Sequence, residues 1–296
     1  MNAKDFSAIF NEKKLLISDG ATGTNLIQRG LPQGKTAEEW VLDDPEKILQ
    51  LHRDFINAGS DIILTSTFGG SKIRLEQSGL ADRFVEVNSR AVALAKEAAV
   101  NSKVLIAGSI GPLGHMMKPL GPLDEKDALI FYRDQANTLV ESGVDILVVE
   151  TQFDLAEASI GVSAALASCN LPVICSFSFD RGTKTMMGVS PAKFALALGK
   201  SGVAALGINC GKSLEDNLNA LKELADATDL PIWFKPNAGL PKLTDDGKPF
   251  YDVTPELMAS HVESWIESGA KIIGGCCGTT PAHLKAIAEI VDNYKK

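Results

Sequence analysis

Three cysteines are placed where a soft metal ion could use them. Cys210 closes the run GINC, and Cys276 and Cys277 lie side by side in GGCCGTT. Thiolates suit zinc, at about 2.3 Å from each sulfur. Three fixed ligands leave one coordination position for a substrate, whereas structural zinc sites fill all four with protein atoms. Gly274, Gly275 and Gly278 flank the pair and permit the backbone to turn two consecutive side chains toward one centre. No CxxC signature is present, so two other readings stand beside the metal: buried inert thiols, or a vicinal disulfide between Cys276 and Cys277. Cys169 and Cys175 read as inert residues near a helix end and inside a strand. Asn237, in KPNAG, offers an amide oxygen as a weak, displaceable fourth ligand, or else makes a turn before Gly239.

Such residues need elements that bring them together. A phrase recurs in which a helical run ends in Gly and an apolar run follows at once: AGSDIIL, SGVDILVV, SGVAALGI and SGAKIIG. Gly there suits a helix C′ position with positive φ, and the β-branched run suits a strand buried on both faces. The same criteria give strands near 14–18, 61–65, 104–108, 145–149, 172–178, 203–208, 231–235 and 270–274. Between them, PEKILQLHRDFINAG, DEKDALIFYRDQANTLVESG and TPELMASHVESWIESG show apolar residues three and four apart, as helices require. Alternation of this kind implies a parallel sheet, either closed as a (β/α)8 TIM barrel or open and doubly wound.

The strand ends favour closure. They run into Asp19, Thr65 and Thr67, Ser109, Glu150, Asn209 and Cys210, Asn237, and Cys276 with Cys277. A barrel gathers the C-terminal ends of all its strands around one mouth, while an open sheet concentrates chemistry at one switch point. In a barrel the sixth and eighth strands lie roughly 10 Å apart across the seventh, a gap that inward side chains can close around one ion.

The chain has 296 residues, which fits one (β/α)8 domain over 1–296, and 45% hydrophobic residues supply a large core. Twenty-nine basic against 37 acidic residues give a net charge of -8, which argues against nucleic acid as a partner. No run approaches the roughly 18 apolar residues of a membrane helix, and MNAKDFSAIFNEKK is charged where a signal peptide is apolar. A cytoplasmic location with no membrane partner is expected. Five cysteines do not make a disulfide framework.

DGATGT at 19–24, ETQFD at 150–154, GINC at 207–210, PNAG at 236–239 and GGCCGTTPAH from 274 together resemble the homocysteine S-methyltransferase domain family. GINC with GGCCGT in this order is the specific part, and the resemblance runs from about residue 12 to 292. It implies a zinc (β/α)8 barrel that binds homocysteine as a zinc thiolate and methylates it to methionine. Cys210, Cys276 and Cys277 match the zinc ligands. Asp19 with Gly20, Ala21 and Thr22 matches the loop that holds the amino acid end of homocysteine, and Glu150 matches an acid near its amino group. Backbone N–H groups of a Gly-containing loop suit a carboxylate, and the two acids suit an ammonium. Ser109 and Asn209, at the same rim, join the candidate substrate contacts. Ser66 and Ser109 depart from the family pattern, which has Asn at the first position in many relatives and Asp at the second in some.

For the methyl donor the resemblance implies either methylcobalamin carried by a separate corrinoid protein or a small onium compound such as S-methylmethionine. Few aromatic residues are available to cage a quaternary ammonium, which lowers betaine. The Gly/Pro-rich loop 111–124, with His115 and two exposed-looking methionines, is a candidate donor-facing surface or an ordinary barrel loop. Other readings are a different thiol acceptor, a metal-dependent aldolase-type enzyme and a non-catalytic metal-binding subunit. An aldolase would bring histidine ligands, yet His52, His261 and His283 fall on helices.

Overall fold

The computed structural model describes residues 3–243 and 249–294. Its strands, in chain order, are β1 (Leu16–Ile17), β2 (Ile62–Leu64), β3 (Leu105–Ile110), β4 (Ile146–Gln152), β5 (Val173–Phe177), β6 (Ala205–Cys210), β7 (Ile232–Pro236), β8 (Lys242–Leu243), β9 (Pro249–Phe250) and β10 (Ala270–Ile273). Strands β1 to β7 and β10 run parallel in the order β1-β10-β7-β6-β5-β4-β3-β2, and a bridge from Ser18 to Ile62 joins the two ends. The result is the TIM barrel, with β8 and β9 as a short antiparallel ribbon above β7. The glycine of each recurring phrase sits in the left-handed region, at Gly59, Gly143, Gly202 and Gly269, where the chain leaves one helix for the next strand.

Two apolar layers follow from the strand's period of two. Residues such as Ile17, Ile63, Leu147, Val173, Leu206 and Phe234 point outward and pack under the helices. Their neighbours Leu16, Ile62, Ala107, Val148, Ile174, Trp233 and Ile272 point inward and fill the barrel. The floor is closed by the helix Ala3–Lys13, whose Phe6 is 1% exposed and joins that inner cluster. The sequence reading used this segment only for its charge. Its apolar residues at 6, 9 and 10 share one face and meet the inner cluster.

The seam between β1 and β2 is held differently from the rest. Asp61 N–H donates to Ile17 O (2.7 Å), Ile17 N–H donates to the Asp61 carboxylate (3.0 Å), and Leu64 N–H donates to Asp19 Oδ2 (2.7 Å). Side-chain carboxylates therefore take the place of ladder carbonyls where β1 is too short to supply them.

Several expectations are corrected. The run 254–269 is two helices, Pro255–Ala259 and Val262–Glu267, with a turn at Ser260, whose hydroxyl donates to Leu257 O and competes for a helical carbonyl. Ser109, Glu150, Asn209 and Cys210 lie within their strands, because a polar side chain aimed into the mouth leaves the ladder intact. Of the two methionines in the 111–124 loop, Met117 is buried and Met116 is half-buried, since Met117 pairs with Leu123 and turns inward. Among the described residues no helix is long and apolar enough to cross a membrane.

Candidate functional site

The segment after β7 stitches the cysteines together. Asn237 N–H donates to Cys210 O (3.2 Å), Cys276 N–H to Pro236 O (2.9 Å) and Ala238 N–H to Cys277 O (2.9 Å). The Sγ atoms of Cys210, Cys276 and Cys277 consequently lie within 4.8 Å of one another, with Cys210 and Cys276 at 2.9 Å. Cys210 itself is left-handed at φ 60, and so is Thr151 across the mouth. Such backbone costs energy in a non-glycine residue and persists where neighbours over-determine it. Asn209 is that neighbour: its Oδ1 accepts from Thr151 N (2.9 Å) and Ser176 Oγ (2.6 Å), and its Nδ2 donates to Thr151 Oγ1 (2.7 Å). The same Nδ2 lies 3.6 Å from Cys210 Sγ and 3.8 Å from Cys276 Sγ, so the amide also faces the sulfurs.

The glycines beside the cysteines are required for close approach. A Cβ on Gly275 would stand 2.4 Å from the Thr279 side chain, and one on Gly278 would stand 2.2 Å from the Tyr251 ring. Tyr251 therefore flanks the thiols, and its hydroxyl is pushed up to about 12 by burial and then by the three cysteines.

The sulfurs open into a cavity of about 400 Å³, whose wall includes Gly20, Ala21, Thr22, Ser109, Glu150, Thr151, Lys235 and all three cysteines. Lys235 is 3% exposed, and its Nζ donates to Asp19 Oδ1 at 2.6 Å while standing 5.3 Å from the centre of the Trp233 ring. Burial opposes its charge, but Asp19 and Glu150 outweigh burial and hold it above its ordinary value. Glu150 receives a hydrogen bond from Ser109 Oγ (2.5 Å). Its carboxyl is pushed up to about 7 by burial, with Lys235 and Ser109 pulling the other way.

The other expected contacts are placed unevenly. Asp19 is 1% exposed and lies behind the wall, its two oxygens taken by Lys235 and Leu64 N. The acid read from the sequence as suiting an ammonium is thus already neutralised by Lys235. Asn209 is likewise buried behind the sulfurs. Ala21 N–H is spent on Thr279 Oγ1 (3.1 Å), so this amide of the 20–22 loop is engaged with the protein. Asn237 turns its Nδ2 to Gly211 O (2.8 Å) and leaves Oδ1 buried with no partner. His283 is tied to Thr280 and Val253, and His52 is buried in its helix.

Lys235 and Tyr251 escaped sequence reasoning. For Lys235 a signal existed: it lies two residues after an inward Trp233 and so faces the mouth on the same side of β7.

The three sulfurs are a donor set that a dication completes. Cys277 is drawn down to about 4 because Cys210 and Cys276 hydrogen-bond its sulfur, and the same two neighbours of Cys210, Cys276 and Cys277, drive that thiol well up. One proton leaves readily and the others are retained until a cation offsets the repulsion.

The chain is 29% identical to a methionine synthase of Mycobacterium tuberculosis over 96% of its own length, and spans about 25% of that protein. Among solved structures it resembles the homocysteine methyltransferase MmuM from Escherichia coli in its metallated form, with 26% identity, a TM-score of 0.82, and 95% of this chain and 98% of that one covered. The carboxyl transferase domain of Rhizobium etli pyruvate carboxylase shares the fold alone, at 15% identity and a TM-score of 0.56, over 99% of this chain and 51% of that one. The homocysteine S-methyltransferase family model matches residues 16–291, and the chain belongs to that family.

Proposed function

We propose that this chain is a zinc-dependent methyltransferase that takes homocysteine into the mouth cavity and methylates its sulfur to methionine. The observation that carries the reading is the set of three sulfurs within 4.8 Å, opening into the cavity that Lys235 and Glu150 also line. Cys210, Cys276 and Cys277 would hold the zinc, with the unpartnered Oδ1 of Asn237 as the displaceable fourth ligand. Bound there, zinc supplies a deprotonated, nucleophilic sulfur from a thiol that is otherwise largely protonated at neutral pH.

The chain's own residues bind and orient the acceptor. Lys235, fixed by Asp19, presents an ammonium to the α-carboxylate, and Glu150, fixed by Ser109, presents a carboxylate to the α-ammonium. Asp19 acts one step back, as the group that aims Lys235. Gly20 lets the backbone of the 20–22 loop form the wall, since a Cβ there would stand 2.8 Å from Leu284 and Phe55. Asn209 holds Thr151 and the sulfurs in register. The donor is a methylcorrinoid on a separate protein or a small sulfonium, and the enzyme works in the cytoplasm.

The test is anaerobic methionine formation from homocysteine, with methylcobalamin and S-methylmethionine as donors in parallel assays, alongside metal analysis. One zinc per chain and methionine from at least one donor are expected. Cys277→Ala is expected to lose the zinc and to lower turnover by roughly 100-fold or more. Zinc-loaded protein that neither binds homocysteine in calorimetry nor makes methionine from either donor would sink the reading.

A further inference from the structure

The cavity does not end at the acceptor's groups. It extends past the 20–24 loop to the segments that follow β1 and β2, where Glu38, Phe68, Arg74, Gln77 and Ser78 line it. At about 400 Å³ it exceeds what the eight non-hydrogen atoms of homocysteine require and lies in the range that houses larger ligands.

The charges at this outer end are arranged unlike those at the thiols. Glu38 is 5% exposed and is set by the capping box of the helix Ala37–Asp43, in which Thr36 N–H donates to Glu39 Oε2 at 2.8 Å. One of its oxygens accepts from Gly69 N (2.6 Å). Arg74 lies over Gly114, where a Cβ would stand 2.7 Å from Nη1. Among the described residues neither Glu38 nor Arg74 forms an ion pair, with the other or with anything else. A buried carboxylate without a cation and a guanidinium without an anion, facing one cavity and held apart, are costly for the free protein. A ligand bearing both opposite charges satisfies them together. Beside them Phe68, 37% exposed, presents an aromatic ring that attracts a third charge, a cation without hydrogen-bond donors.

We infer that the outer end of the cavity is a second α-amino acid site, in which Arg74 takes the α-carboxylate, Glu38 the α-ammonium and Phe68 the sulfonium of an amino acid methyl donor. The inference rests on the acceptor reading above and names the donor class. In the transfer, the S–CH3 bond of the sulfonium breaks and its electron pair remains on the departing sulfur as a thioether. A lone pair of the homocysteine thiolate forms the new S–CH3 bond, and the thiol proton has already passed to solvent. With S-methylmethionine as donor, both products are methionine. Two zwitterion stations at opposite ends of one cavity hold the two sulfurs between them, which suits direct displacement.

The experiment is steady-state kinetics of the zinc-loaded enzyme with homocysteine and either S-methylmethionine or trimethylsulfonium, which carries no amino acid head. Arg74→Gln is expected to raise the KM for S-methylmethionine roughly tenfold or more while leaving the KM for homocysteine within about twofold. Glu38→Gln keeps an acceptor for Gly69 N–H and is expected to act in the same direction. Turnover of trimethylsulfonium should be slow in the parent and unchanged in both variants. An unchanged KM for S-methylmethionine in both folded variants would overturn the inference. So would methionine formation from methylcobalamin but not from S-methylmethionine, an outcome that leaves the acceptor reading intact. Failure of homocysteine to bind would remove both.

Discussion

On β7 the inward side chains are Trp233 and, two residues on, Lys235; on β4 they are Val148 and then Glu150. The same alternation thus lays hydrocarbon on the barrel floor and ionisable groups at the mouth, a few ångströms higher on the same strands. The floor is held by contacts that have no direction, among Phe6, Leu16, Ile62, Trp233 and Ile272. The mouth is held by specific partners, Lys235 on Asp19 and Ser109 on Glu150. The difference teaches where the chain tolerates change. Floor residues can be exchanged for others of similar volume, whereas a mouth residue removed alone strands its partner in a buried place.

The sharpest break is Lys235→Met, which nearly preserves volume but leaves Asp19 buried without a cation. A loss of roughly 3–5 kcal/mol in urea unfolding is expected. Adding Asp19→Asn should restore much of that stability without restoring activity, and a double variant as unstable as the single one would show that packing, not the pair, had been lost.

A third environment lies behind the wall, in the helix Pro45–Asn57. His52 is 1% exposed, its Nε2 has no partner, and burial holds it down to about 4, with Asp19 opposing. Because the folded pKa is depressed, its contribution to stability is complete above the unfolded value of about 6.5 and is lost as pH falls through about 4. That is about 3 kcal/mol over the window. Unfolding free energies measured from pH 7 to 4 should decline less steeply in His52→Leu than in the parent; parallel curves would assign the acid sensitivity elsewhere.

The smallest change is expected on the floor. Phe6→Leu keeps an apolar plug and should cost about 1 kcal/mol, with homocysteine binding unaltered. A weakened affinity for homocysteine would mean that the plug supports the mouth through the intervening layer.

These contrasts also explain what could be read from sequence. The glycine that ends each helix and the buried strand that follows are local signals, so eight strands and their order of chemistry were legible, as were the three cysteines. Lys235 was passed over because KPNAG drew attention to Asn237, although alternation from Trp233 points Lys235 inward. Asp19 was read as facing the ligand, yet its role is set by Lys235, a residue 216 positions away. Glu38 and Arg74 carry no motif, since only the folded loops after β1 and β2 bring them to one wall. The split of the 254–269 helix rests on a hydroxyl competing for one carbonyl, a contest that apolar periodicity does not register.

The seam between β1 and β2 gives the barrel a preferred place to breathe. Along most of the ring, opening means unzipping backbone from backbone over several residues, but here a few carboxylate contacts are the fastening. One of those carboxylates, Asp19, has its second oxygen on Lys235. Any fluctuation that parts the seam at Leu64 must disturb that ammonium, and whatever fills the mouth and steadies Lys235 also tightens the ring, so occupancy at the top of the barrel is felt as stiffness around its circumference.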